Sequence, residues 1–198
     1  MRTGYTHISI LLDRSGSMQS IVNDVIGGFN SFIKAQQKEP GKLTVTLAQF
    51  DTDYEVLHQN AEVAAVQPLT EQTFVPRGGT ALLKFATKLI NDTGATLARM
   101  PESERPEKVL FVMITDGEEN QSLFFNKEMV SNLIDQIQKV NGWQVLFLGA
   151  NIKDFSDLAK SLNVSKNNAL NFMATDKGIH EGYASITASV TSYRQSHA

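Results

Sequence analysis

Cysteine is absent from the 198-residue chain, which excludes a disulfide framework and a thiolate metal site. Histidine is scarce. His7, His58, His180 and His197 are dispersed, and none stands beside a second histidine at zinc-site spacing. Charge of one sign is lacking too. Eighteen basic and 21 acidic residues leave a formal net charge of −3 with no basic run, so bulk attraction to nucleic acid or to an anionic membrane is not expected. No stretch approaches the ~20 apolar residues that cross a bilayer. Residues 1–6 lack the apolar segment and small-residue cleavage site of a secretory signal. No phosphate-cradling Gly-x-x-x-x-Gly-Lys-Ser/Thr loop occurs. Internal repeats, low-complexity tracts and long linkers are missing as well, so one domain over residues 1–198 is expected.

What is present alternates between strand and helix signals, which argues for an α/β fold with a mainly parallel sheet. Residues 6–12 read as a first strand. Ile21, Val25, Phe29, Phe32 and Ile33 follow at helical spacing, and Glu39-Pro40-Gly41 ends that helix. Residues 43–50 read as a second strand, with 54–58 returning antiparallel at the sheet edge. Thr80 opens a helix through Leu83, Ala86, Thr87 and Ile90. The unbroken run 109–114 suits a central strand covered on both faces. Met129, Leu133, Ile137 and Val140 mark the next helix, residues 143–148 another strand, 155–162 a short helix, 169–173 a last strand, and 178–193 a polar closing helix.

The most informative junction is Asp13-Arg14-Ser15-Gly16-Ser17-Met18, directly behind the apolar end of the first strand. One carboxylate and two hydroxyls at alternating positions offer three hard oxygen ligands, the donor chemistry preferred by cations such as Mg²⁺. Gly78-Gly79-Thr80 and Ile114-Thr115-Asp116-Gly117 follow in order. In an open α/β sheet, loops at the carboxyl ends of the strands share one edge, so the three segments can converge. Asp13 and Asp116 facing one another would repel unless a cation lay between them.

These three segments resemble the metal-ion-dependent adhesion site (MIDAS) of von Willebrand factor type A (VWA) domains. In that family a first loop supplies Asp and two Ser, a second a Thr and a third an Asp. Here the matching positions are Asp13, Ser15, Ser17, Thr80 and Asp116, with none substituted, and the resemblance is strongest over residues 7–149. It implies a Rossmann-like, three-layer αβα, doubly wound fold with a mainly parallel central sheet and one antiparallel edge strand. It also implies Mg²⁺ as the metal, with Mn²⁺ or Ca²⁺ as alternatives, and an open coordination position filled by an Asp or Glu of a protein partner. The motif wording looks like stand-alone intracellular bacterial or phage members. A cytoplasmic protein is therefore expected, in the host cytoplasm if phage-encoded, with no nucleic-acid or membrane partner.

Other readings of the same residues stand beside this one. Asp13 could cap the following helix, with Ser15 and Ser17 satisfying turn amides. Glu118 and Glu119 read either as a second layer around a metal or as two solvated charges. Asp51 and Asp53 read as turn-forming carboxylates. Arg14 and Arg77 flank the motifs, and the sequence leaves open whether they attract an acidic partner or serve solubility. Gly27-Gly28 is expected to permit close packing or a kink rather than phosphate binding, and Trp143 to lie in the core. Three function classes follow: a metal-dependent interaction module without catalytic activity, a Mg²⁺-dependent phosphoryl-transfer enzyme, or an assembly subunit that self-associates. The closing helix, poor in apolar residues, is expected to be loosely held and able to shift with metal ligation.

Overall fold

A computed structural model describes residues 1–117, 121–122, 125–173 and 175–196, with the backbone alone at Asp176. Six strands form one sheet: β1 Arg2–Asp13, β2 Lys42–Phe50, β3 Tyr54–Glu62, β4 Pro106–Thr115, β5 Gln144–Ala150 and β6 Ala169–Phe172. Their order is β3-β2-β1-β4-β5-β6. All neighbouring pairs are parallel except β2–β3, which is antiparallel and places β3 at one edge. The helices are α1 Val22–Gln36, α2 Leu82–Ala98, α3 Lys127–Lys139, α4 Phe155–Ser161 and α5 Asp176–Gln195.

Strand alternation divides the core in two. On β1 and β4, Ile8, Ile10, Leu12, Leu110, Val112 and Ile114 pack with α1 and α5. Leu11, Phe111 and Met113 point the other way, into a layer with α2, α3 and α4. Both faces of β4 are thus covered, which is why its sequence is unbroken in apolar character. The result is the three-layer αβα arrangement expected from the sequence.

Several boundaries and faces differ from expectation. β1 begins four residues early, at Arg2, and β3 runs on to Glu62 as half-buried edge structure. α2 begins at Leu82 behind Ala81, so Thr80 lies in the loop before the helix. On α3 the buried residues are Val130, Ile134 and Ile137, while Met129, and Val140 just past the helix end, are exposed. Two stripes at helical spacing share Ile137, and periodicity alone does not choose between them.

The closing helix is the larger correction. α5 buries Ile179, Tyr183, Ile186 and Val190, a stripe at i, i+4, i+7 and i+11 that docks on α1 and the sheet. Gly28 on α1 is the seat of this contact. A methyl group there would lie 2.1 Å from the Tyr183 ring, so the glycine serves close helix packing, as one of the expected readings had it. Trp143 is in the core, one residue before β5.

The order 3-2-1-4-5-6 reverses the direction of winding between β1 and β4. Ligand crevices in such sheets form at that reversal, outside the carboxyl ends of the two strands. Asp13 is the last residue of β1 and Thr115 the last of β4.

Candidate metal centre

Asp13 is fully buried, and both its carboxylate oxygens are engaged. Oδ1 accepts the Ser15 backbone N–H at 2.6 Å, and Oδ2 accepts the Thr115 hydroxyl. Thr115 in turn accepts the Gly117 N–H at 3.2 Å. This tilts loop 1, residues 13–17, toward the end of β4. Gly16 and the residues after it form a short 3₁₀ turn, with no side-chain cap at either Ser15 or Ile21, so Asp13 does not cap a helix.

The hydroxyls of loop 1 face each other and the opposite loop. Ser15 Oγ lies 3.1 Å from Ser17 Oγ, and Ser17 Oγ donates to Asp116 Oδ1 at 2.7 Å across 99 residues of sequence. Thr80 is buried, and a methyl group built on Gly117 would meet its Oγ1 at 3.2 Å and Ser17 Oγ at 3.9 Å. All five residues singled out in the sequence, Asp13, Ser15, Ser17, Thr80 and Asp116, are therefore gathered around one point at the carboxyl edge of the sheet. The donors are all oxygens. Among the described residues, no group of three or more His, Cys, Asp or Glu side chains could hold a metal ion, so a cation at this point would depend on the hydroxyl oxygens as well as the two carboxylates.

Electrostatics at this point favour a cation. Desolvation pushes the Asp13 carboxyl up to about 6, against hydrogen bonds from Thr115 and Ser15, and the Asp116 charge adds to the rise. Asp116 is also raised, mainly by desolvation. Arg14, adjacent to Asp13 in the chain, gives no relief. Its guanidinium is buried at 4% side-chain exposure and committed to Asp51, Glu55 and Gln49. A buried carboxylate with a like charge beside it and three hydroxyl oxygens converging fits a hard divalent ion.

Two sequence readings change here. Arg14 serves neither solubility nor attraction of a partner, because it is an internal ion-pair member. Asp51 is more than a turn former: its buried carboxylate binds both Arg14 and Arg77, along with the Asp53 N–H. Arg77 keeps 56% side-chain exposure. Thr115 was visible within the third motif but carried no role. Its one signal is a hydroxyl at the end of an apolar strand, next to Asp116. Glu118, Glu119 and His197 lie outside the described residues. His7 is buried mid-strand, His58 is on β3 and His180 on α5.

Comparison with solved structures places this chain in a known fold. The chain is similar to the von Willebrand factor domain of the type V pili tip protein Mfa5 from Porphyromonas gingivalis, with TM-score 0.69 at 11% identity over 100% of this chain and 99% of that one. It is similar to the manganese-loaded TRAP protein of Plasmodium vivax, with TM-score 0.61 at 14% identity over 94% and 73%. It is also similar to proximal thread matrix protein 1 from the mussel byssus, with a zinc-occupied MIDAS motif, with TM-score 0.65 at 13% identity over 96% of this chain and 46% of that one. The chain thus spans about half the length of the mussel protein. At these identities the likeness is one of fold, and the fold is that of VWA domains. No family model matches the sequence, and no curated protein matches it.

Proposed function

We propose that this chain is a metal-dependent protein-interaction module, in which a divalent cation held by Ser15, Ser17, Thr80, Asp13 and Asp116 accepts a carboxylate from a partner. The observation that carries this is the contact of Ser17 with Asp116, with Ser15 and Thr80 beside it, around two raised carboxylates that lack a counter-cation among the described residues. Mg²⁺ suits the all-oxygen donors and retains exchangeable water, and Mn²⁺ and Ca²⁺ are the alternatives. A bound metal supplies a Lewis-acid position for an incoming Asp or Glu. The chain's own residues hold the ligand loops in register and bury Asp13 away from competing water.

Support also comes from fold neighbours. The Plasmodium vivax protein is manganese-loaded, the mussel byssus protein holds zinc in its MIDAS motif, and one neighbour is the pilus adhesin SpaC from Lactobacillus rhamnosus GG. The module acts by binding, not catalysis. The phosphoryl-transfer alternative needs a cationic clamp, and Arg14 is already committed to Asp51 and Glu55. Residues 1–198 are taken as one domain working in the cytoplasm with a partner supplied by another chain. No helix among the described residues is long and apolar enough to cross a membrane.

The test is capture of a partner with and without chelator, using wild type and Asp13→Ala. Binding is expected to vanish with chelator and in the variant. A partner retained equally in both contradicts the module as described.

A further inference from the structure

Asp51, from the turn between β2 and β3, joins two of the candidate ligand loops through one buried carboxylate. Its Oδ2 receives Arg14 Nε at 2.9 Å and Arg77 Nε at 3.1 Å, while Oδ1 receives the Asp53 N–H at 2.6 Å and the Thr52 hydroxyl at 3.3 Å. The Asp51 side chain is 1% exposed. Arg14 lies between Asp13 and Ser15, and Arg77 lies three residues before Thr80. Backbone bonds run alongside the ion pairs. Arg77 N–H donates to Arg14 C=O at 2.8 Å, Gly16 N–H to Gly78 C=O at 3.2 Å, and Ala81 N–H to Asp51 C=O at 3.3 Å. Gly78 holds φ at +65°, and a methyl group there would stand 3.0 Å from Thr52 Oγ1, so the second loop abuts the Asp51 turn directly.

We propose that the Arg14–Asp51–Arg77 bridge is the positioning device of the metal site, fixing the Ser15 and Thr80 loops relative to one another. The proposal rests on the metal-binding function above. Two charged arms on one oxygen resist separation of the loops, and with the guanidinium of Arg14 buried, loss of the shared carboxylate would leave it only the half-exposed Glu55 as counter-ion. A metal's ligands tolerate only small displacements, so residues that orient the ligating loops govern affinity without touching the ion. Asp51, Arg14 and Arg77 act through the backbone of Asp13–Ser15 and Gly78–Thr80. They are positioning residues.

Arg77 makes the test clean, because its exposure lets it be changed without emptying the core. Mn²⁺ is titrated into the full chain and free Mn²⁺ is read by electron paramagnetic resonance. The set comprises wild type, Arg77→Gln, Arg77→Lys, Asp51→Asn and a control, Ser9→Ala, buried in the middle of β1. Electrostatics alone would tighten Mn²⁺ binding in Arg77→Gln, since a positive charge leaves the neighbourhood of the cation. The bridge predicts the opposite: a Kd weakened about tenfold in Arg77→Gln, partly restored in Arg77→Lys, with an unchanged unfolding midpoint in chelator. Asp51→Asn is expected to weaken binding further, and Ser9→Ala to lower stability while leaving Kd in place. An unchanged or tighter Kd in Arg77→Gln, with wild type binding Mn²⁺, overturns the bridge alone. Absence of Mn²⁺ binding by wild type overturns the metal site and the bridge with it.

Discussion

Asp13 shows what a single side chain does in this site. Burial and the neighbouring Asp116 both disfavour its charge, and only hydrogen bonds from Ser15 and Thr115 oppose them. Asp13→Asn removes the charge and keeps one of the two acceptor oxygens, while its NH2 group can donate to the Thr115 hydroxyl instead of accepting from it. In chelator the variant should differ from wild type by less than about 1 kcal/mol in urea unfolding. A loss of about 3 kcal/mol or more would mean that the carboxylate is a structural charge paired elsewhere. His7 behaves in the opposite sense to Asp13. Burial lowers its pKa to about 4, with Thr44 at 2.8 Å from Nδ1 and Ser9 at 3.1 Å from Nε2. Because the folded value is below the unfolded one, its contribution is complete above about pH 6.5 and is lost as pH falls toward about 4. Between about pH 7.5 and 4.5 this amounts to about 2 to 3 kcal/mol. Urea titrations at both pH values should show a steeper loss for wild type than for His7→Gln, and parallel losses would contradict it.

At the scale of elements, the glycine pair in α1 separates packing from propensity. A side chain at Gly28 collides with Tyr183 of α5, whereas one at Gly27 meets nothing within 4 Å. Gly28→Ala should cost about 2 kcal/mol by displacing α5, and Gly27→Ala should stabilise by roughly 0.5 to 1 kcal/mol. Paired denaturant titrations check both; equal effects would mean that α5 is not seated on Gly28. The same helices show where sequence patterns lose their grip. Strands β4 and β5 are legible because their apolar runs are short and unbroken, and β2 because apolar and polar residues alternate along most of it. The stripe of α5 is thin, with Ile179, Tyr183, Ile186 and Val190 separated by His180-Glu181-Gly182 and then by Ala, Ser and Thr, so its docking emerges only once α1 offers Gly28 as a partner surface. On α3 the competing Met129 stripe is equally periodic, and burial is decided by the neighbouring α2 and β5.

The whole molecule places the site by topology. β1 and β4 adjoin at the reversal of winding, and their carboxyl ends bring Asp13, Ser15 and Ser17 within reach of Asp116. The five candidate ligands were legible because each occupies a motif with fixed spacing beside a strand or helix signal. The Arg14–Asp51–Arg77 bridge was not, because its members are spread over three loops and each alone reads as an ordinary surface charge. If the site binds metal in the folded state alone, Mn²⁺ at about a hundred times its Kd adds about 2.7 kcal/mol and raises the thermal midpoint by roughly 5 to 10 °C. Thermal scans with Mn²⁺ and with chelator read that shift, and coincident midpoints would contradict it. The most direct test of the central claim is a calorimetric titration of Mg²⁺ and Mn²⁺ into wild type and Asp13→Asn. The structure predicts saturable one-site binding by wild type and none by the variant. No saturable heat with wild type, or the same isotherm with both, would contradict a metal centre built on Asp13.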